Sequence, residues 1–149
     1  MNALARRLAS VALGAALVPA ALMMTAAPAA AADDQPCRFF EKRQIEGVYW
    51  NLYHCPDWSP RSDGRIPVYN RPYGDSGVAG WMNNTGNAAN WYIRQLQCGG
   101  YQLGSYSNNW WAMTMADNGE WGWVNETYFR GGGDNEADGG LPYGAGQCT

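Results

Sequence analysis

Four cysteines, a single histidine and a heavy load of aromatic side chains are the groups in this chain with chemistry to offer. The cysteines are Cys37, Cys55, Cys98 and Cys148. An even count behind an export leader reads as two disulfides. Three pairings are possible. Cys37–Cys55 with Cys98–Cys148 is preferred, because the first closes a local loop and the second staples the C-terminal tail. Each closure is expected to contribute about 3–4 kcal/mol through chain entropy. Zinc fits poorly, since no two cysteines lie two to four residues apart and His54 is the only histidine. His54 beside Cys55 suggests a thiol–imidazole pair. Neighbours in a strand point to opposite faces, however, and an oxidised Cys55 is no nucleophile. No nucleophile-elbow serine and no phosphate-cradling glycine loop is present. Asp117 and Glu120 flank a turn, where solvation is the default. Nothing in the sequence sets two carboxyls across a cleft, as glycoside hydrolysis requires. No catalytic residue and no cofactor is therefore expected. Asp134, Glu136 and Asp138 alternate ahead of Gly139 like half of a calcium loop. Ala145 stands where the bidentate Glu would be needed, so a solvated acidic tail and no metal site is expected.

The aromatics carry the stronger signal. Eight Trp, nine Tyr and three Phe exceed what one small barrel core can hold. Phe39, Phe40 and Trp50 are expected to pack an N-terminal extension onto the rest of the fold. Aromatics left at the surface supply rigid contact area for a ligand. The chemistry indicated is binding.

The elements that must position these groups follow from patterning. Arg6 and Arg7, an Ala/Leu/Val run broken by Pro19, and Ala30-Ala31-Ala32 make residues 1–32 a signal peptide, with the mature chain starting near Asp33. The run approaches spanning length, but it is Ala-rich and ends in a cleavage pattern, so no stable membrane insertion is expected afterwards. The formal net charge is −3, and loss of Arg6 and Arg7 makes the mature chain more acidic. That argues against nucleic acid and anionic membranes as partners. Residues 33–64 form an aromatic-rich, disulfide-stapled N-terminal extension, residues 65–130 the main domain, and residues 131–149 a flexible Gly/acidic tail. Strands are expected over residues 48–53, 65–70, 81–82, 91–97, 101–106, 110–115 and 120–125. Turns are expected at Gly99-Gly100, at Ser107-Asn108 and at Asp117-Asn118-Gly119. Trp111, Met113 and Met115 alternate with Trp110, Ala112 and Thr114, and the former set with Val124 is expected to face the core. Many short strands without a helix mean an all-β fold, and this length favours a small barrel.

The central stretch resembles the second half of a bacterial SH3 (SH3-like) domain of the kind found in exported proteins. Asn109-Trp110-Trp111-Ala112 resembles the paired-aromatic strand. Asn118-Gly119-Glu120-Trp121-Gly122-Trp123-Val124 resembles the hairpin ending in Gly-Trp-Val. Asn125 to Phe129 resembles the single 3₁₀ turn and the final short strand. Ile66 to Pro72 resembles the opening strand with its arginine. The resemblance covers roughly residues 65–130. It implies a small SH3-like barrel and a secreted, non-catalytic binding module. The implied ligand is a cell-wall peptide (peptidoglycan) or another exported protein. It also implies a groove with Trp110 and Tyr128 on one wall and Tyr69 and Tyr73 on the other. Asn125 stands where peptide-binding relatives often carry proline, which argues against polyproline recognition. The alternative reading is a small disulfide-stapled extracellular inhibitor or interaction protein acting on an enzyme, which a protease-inhibition screen would separate.

Overall fold

A computed structural model describes residues 37–83, 90–131, 133–137, 140–146 and 148. The leader lies outside the described residues, as do Asp138 and Gly139 of the half calcium loop. The described strands are β1 (Arg38–Ile45), β2 (Val48–His54), β3 (Arg65–Tyr69), β4 (Val78–Asn83), β5 (Trp91–Tyr92), β6 (Arg94–Leu103), β7 (Tyr106–Met115) and β8 (Trp121–Asn125). A 3₁₀ turn, Glu126–Tyr128, follows β8. No α-helix occurs among the described residues. No described helix is long and apolar enough to cross a membrane.

The strands form two antiparallel sheets, ordered β1-β2-β5 and β4-β3-β8-β7-β6. Among the described residues no ladder joins β6 to β4, so the larger sheet is open. Residues Glu46 and Gly47 both have positive φ, 51° and 82°, which suits a tight two-residue hairpin between β1 and β2. The chain then leaves the small sheet, builds β3 and β4, and returns as β5 against β2. It passes directly into β6 of the larger sheet. Hydrogen bonds from β5 to β2 therefore cross the boundary expected at residue 64. Cys37 is bonded to Cys55 and Cys98 to Cys148. Two disulfides are consistent with an oxidising extracellular environment.

The core gathers Ile66 and Val68 of β3, Met82 of β4, Ala112 of β7 and Val124 of β8 around Tyr92. This corrects the expected register. Trp111 and Val124 are fully buried, but Met113 and Met115 lie on the half-buried face, while Ala112, Thr114 and Ala116 face inward. The cause is close approach. Ala112 stands opposite Val124 in the ladder. A Cβ on Gly122, next along, would collide with the Tyr69 carbonyl and lie 2.7 Å from Val68. Glycine is required where β8 comes this near to β3. Trp111 is buried on the opposite face, beneath the rings of Tyr69 and Tyr101 at 5.6 and 5.7 Å. Its Nε1 donates to the Gly99 carbonyl at 2.7 Å. Both faces of β7 are covered there, so simple alternation does not tell inside from outside.

Two turns also move. Gly99-Gly100 lies within β6, at a register shift between Gln97 and Tyr101. Ser107-Asn108 lies within β7. The reversal occurs at Gly104-Ser105, where Gly104 takes a φ of 63°. Gly99 serves instead as a flat place for the Tyr73 ring, which a Cβ there would strike.

The described part of the tail is ordered against the sheet, contrary to the flexible tail expected. Leu141 is buried. Gln95 pairs with Tyr143 in a parallel bridge, its N–H donating to Pro142 O at 2.9 Å and its carbonyl accepting from Gly144 at 2.7 Å. The reason is the unpaired edge of β6. Its backbone groups need partners, and the Cys98–Cys148 bridge holds the tail where it supplies them.

Candidate functional site

Two groups of aromatics adjoin the 3₁₀ turn. In the first, Tyr69 donates to the Tyr101 hydroxyl at 3.2 Å, and Tyr101 and Tyr128 share a hydrogen bond of 2.9 Å. Burial pushes all three phenols upward, Tyr101 to about 12, so they stay protonated and act as donors. Tyr73 packs nearby on Gly99, and the Tyr101 ring lies over Gly74. Tyr69 and Tyr128 thus meet through Tyr101, with Tyr73 alongside. Trp110 does not join them. It alternates with Trp111, whose ring occupies the tyrosine side, and its own ring stands 5.5 Å from Tyr143 in the tail. Tyr128 is only 3% exposed and Tyr69 only 9%. The cluster is packed on itself.

Asn125 explains the absence of proline at its position. It is fully buried, with Nδ2 donating to the carbonyls of Asn108 and Trp110 at 3.1 and 3.0 Å. Its Oδ1 accepts from the Thr127 N–H at 3.0 Å and caps the 3₁₀ turn. Proline could make none of these side-chain bonds.

The second group borders open space. A cleft of about 560 Å³ runs between the segment after β2, the start of β7, the 3₁₀ turn and residues Arg130, Gly131, Gly133 and Asp134. Trp58 is fixed by two bonds to the turn, its backbone N–H to Tyr128 O at 2.8 Å and its Nε1 to Thr127 O at 3.0 Å. Tyr106 meets it edge-on, with ring centroids 5.8 Å apart at 79°. Tyr106 is 55% exposed. The floor holds Asn108, Glu126 and Thr127, all buried, and the rim holds Arg130 and Asp134. Arg130 Nε donates to the Asp57 carbonyl at 3.0 Å, and Asp134 Oδ1 accepts from the Ser107 N–H at 2.9 Å. Thr127 Oγ1 is buried with no hydrogen-bond partner among the described residues.

Asp57 supports the cleft from behind. It bridges Phe129 and accepts from Asn90 Nδ2 at 2.8 Å and from the Tyr92 hydroxyl at 2.9 Å. Burial raises its pKa against the lowering effect of those bonds. Tyr92, fully buried beside it, is raised well above its usual range by desolvation and by the Asp57 charge.

The arrangement suits binding: an aromatic wall, a mixed polar floor, and no thiol or imidazole in the lining. His54 lies elsewhere, stacked on Phe40 at 3.8 Å. Among the described residues no three potential ligands converge as a metal site would need. Tyr106 and Thr127 are residues that patterning missed, whereas Trp58 ends the stretch from Tyr49 that the sequence offers as a candidate should the expected groove fail. The one available signal was Trp58, a large aromatic in a run of turn residues, which has to bury its ring against something distant. Comparison with known proteins gives no match, whether to a protein-family model, a curated protein or a solved structure.

Proposed function

We propose that this chain is an exported, non-catalytic binding module of the SH3-like kind, which attaches to the cell wall through the Trp58–Tyr106 cleft. The observation that carries this reading is the cleft itself. It pairs an exposed, braced aromatic ring with a polar floor, and its size falls in the ordinary range for ligand sites. The hairpin β7–β8, followed by a single 3₁₀ turn, supports the SH3-like part of the proposal. The two disulfides support the extracellular part. The four residues expected as a groove support it less well, because Tyr69 and Tyr128 are closed off and Trp110 lies on another face.

Sedimentation with purified cell walls tests the proposal. Tyr106→Ala should weaken binding on the order of tenfold or more, as loss of an anchor aromatic does. Trp110→Ala should leave it unchanged. Wild-type protein that stays in the supernatant with every wall preparation would sink the module reading. Loss of binding in Trp110→Ala with Tyr106→Ala unaffected would return the site to the other face.

A further inference from the structure

We infer that the cleft takes a neutral pyranose ring, so that the module grips the sugar of the wall and not its peptide. The inference rests on the binding-module reading of the same cleft.

Three features select a sugar. The first is the platform. Tyr106 is more than half exposed, and Trp58 meets it edge-on, which fixes the tilt of its ring. The face of an aromatic ring carries negative quadrupole density. The C–H bonds along one side of a pyranose are weakly positive and lie flat on such a face.

The second is the floor. Thr127 is 7% exposed, and its Oγ1 is buried with no partner among the described residues. A hydroxyl both donates and accepts, so leaving one unpaired in the interior costs free energy. A χ1 rotation carries Oγ1 to another staggered position and turns the hydroxyl to a ligand. A sugar hydroxyl, donor and acceptor at once, satisfies it in either sense.

The third is what the cleft does not offer. An extended peptide is held mainly by main-chain hydrogen bonds along a free edge. Several backbone groups bordering this cleft are already engaged. Trp58 N–H is bonded to Tyr128, Ser107 N–H to Asp134, the Ser107 carbonyl to Asn135, and the Thr127 carbonyl to the Trp58 indole. Of the charged groups, Asp134 accepts at Oδ1 from Ser107, Arg130 donates at Nε to Asp57, and Glu126 is 2% exposed.

The test is titration of the mature, disulfide-intact protein with N,N′,N″-triacetylchitotriose, as the neutral sugar, and with a synthetic wall stem peptide. Binding is read by indole fluorescence and by backbone amide shifts. The sugar should bind, with shifts concentrated at residues 106–108 and 126–134. Tyr106→Ala, at an exposed position, should weaken it on the order of tenfold. Thr127→Val should weaken it severalfold while raising the melting temperature, since it removes an unpaired hydroxyl. A purely structural Thr127 would give no loss of affinity. Binding of the stem peptide at these residues, with no response to chitotriose, would overturn the sugar assignment and leave the wall-binding module standing. Chitotriose binding by protein that ignores whole walls would uphold the sugar site and overturn the wall reading.

Discussion

The two aromatic groups sit on either side of one short turn and have opposite fates. Tyr69, Tyr101 and Tyr128 close on each other through a chain of hydroxyls over Trp111. Trp58 and Tyr106 touch only edge-on and leave a cleft beside them. Residue type does not separate the groups, since both are rich in phenol and indole rings. Their anchorage does. The closed cluster draws Tyr69 and Tyr101 from β3 and β6, which flank the β8–β7 pair of the larger sheet, and Trp111 of β7 lies beneath both rings. The open pair joins a segment between sheets to the first residue of β7, and no ladder sets the gap between them. A closed aromatic cluster contributes stability, and an open one is available to a ligand.

The difference can be broken most sharply at Trp111. Truncation to alanine should cost about 3–5 kcal/mol, because the ring is wholly buried and its indole bond to Gly99 is lost with it. Urea denaturation of the two proteins measures this, and a cost under about 1 kcal/mol would show that Tyr69 and Tyr101 do not need it beneath them. The Cys98–Cys148 bridge comes next. Replacing both cysteines by serine should cost about 3–4 kcal/mol through chain entropy, and the tail should leave β6. Faster amide exchange at Gln95 and Gly144 would report that release. Unchanged exchange there would mean that the parallel bridge holds the tail alone.

A finer comparison uses single hydroxyls. Tyr128→Phe removes one link of the buried chain and should cost about 1 kcal/mol. Tyr106→Phe, at an exposed ring with no hydroxyl bond to lose among the described contacts, should be close to neutral in stability. Thermal melts of the two variants, side by side, decide the matter. Equal effects would erase the distinction between a closed cluster and an open pair.

What the sequence disclosed follows the same division. The Asp117-Asn118-Gly119 turn was legible because Gly119 alone satisfies a φ of 88° at that place. Strand β3 was legible in its own residues, and the 3₁₀ turn through the resemblance; the structure adds the cap, Asn125 accepting from its neighbour Thr127. The inward face of β7 was not. Methionines outrank alanines in any hydrophobic pattern, yet Ala112 and Thr114 are the residues that face the core, opposite Val124 and Gly122. Gly99 read as a turn former and Gly104 as a strand residue, and the structure reverses the two. One is required by a ring pressed on it from Tyr73, a contact set by tertiary packing and invisible locally. The acidic tail read as disordered by composition, and the unpaired edge that it covers belongs to a strand some fifty residues earlier. The cleft was the least legible, since its wall and floor come from four separate stretches.

The smallest expected effect is a slope, and it tests the cleft's support. Asp57 sits behind the 3₁₀ turn with its carboxylate facing Asn90 and Tyr92. Burial raises its pKa in the folded protein above the value near 3.9 that it takes when unfolded. Between those two values the folded state binds the extra proton, so stability falls as pH rises. The contribution is therefore fully present below the unfolded pKa and is lost as pH climbs through the folded one. Exposed Asp63, held far below its usual range by its hydrogen bond from Arg61, works in the opposite sense in acid. It is the same in wild type and in Asp57→Asn, so subtracting one unfolding profile from the other removes it. The difference, wild type minus Asp57→Asn, should decline from about pH 4 upward and then level off. A difference that stays flat from pH 3 to 7 would mean that burial does not govern Asp57. Its hydrogen bonds from Asn90 and Tyr92 would then offset the burial completely, and the back wall of the cleft would be held by an ordinary, ionised carboxylate.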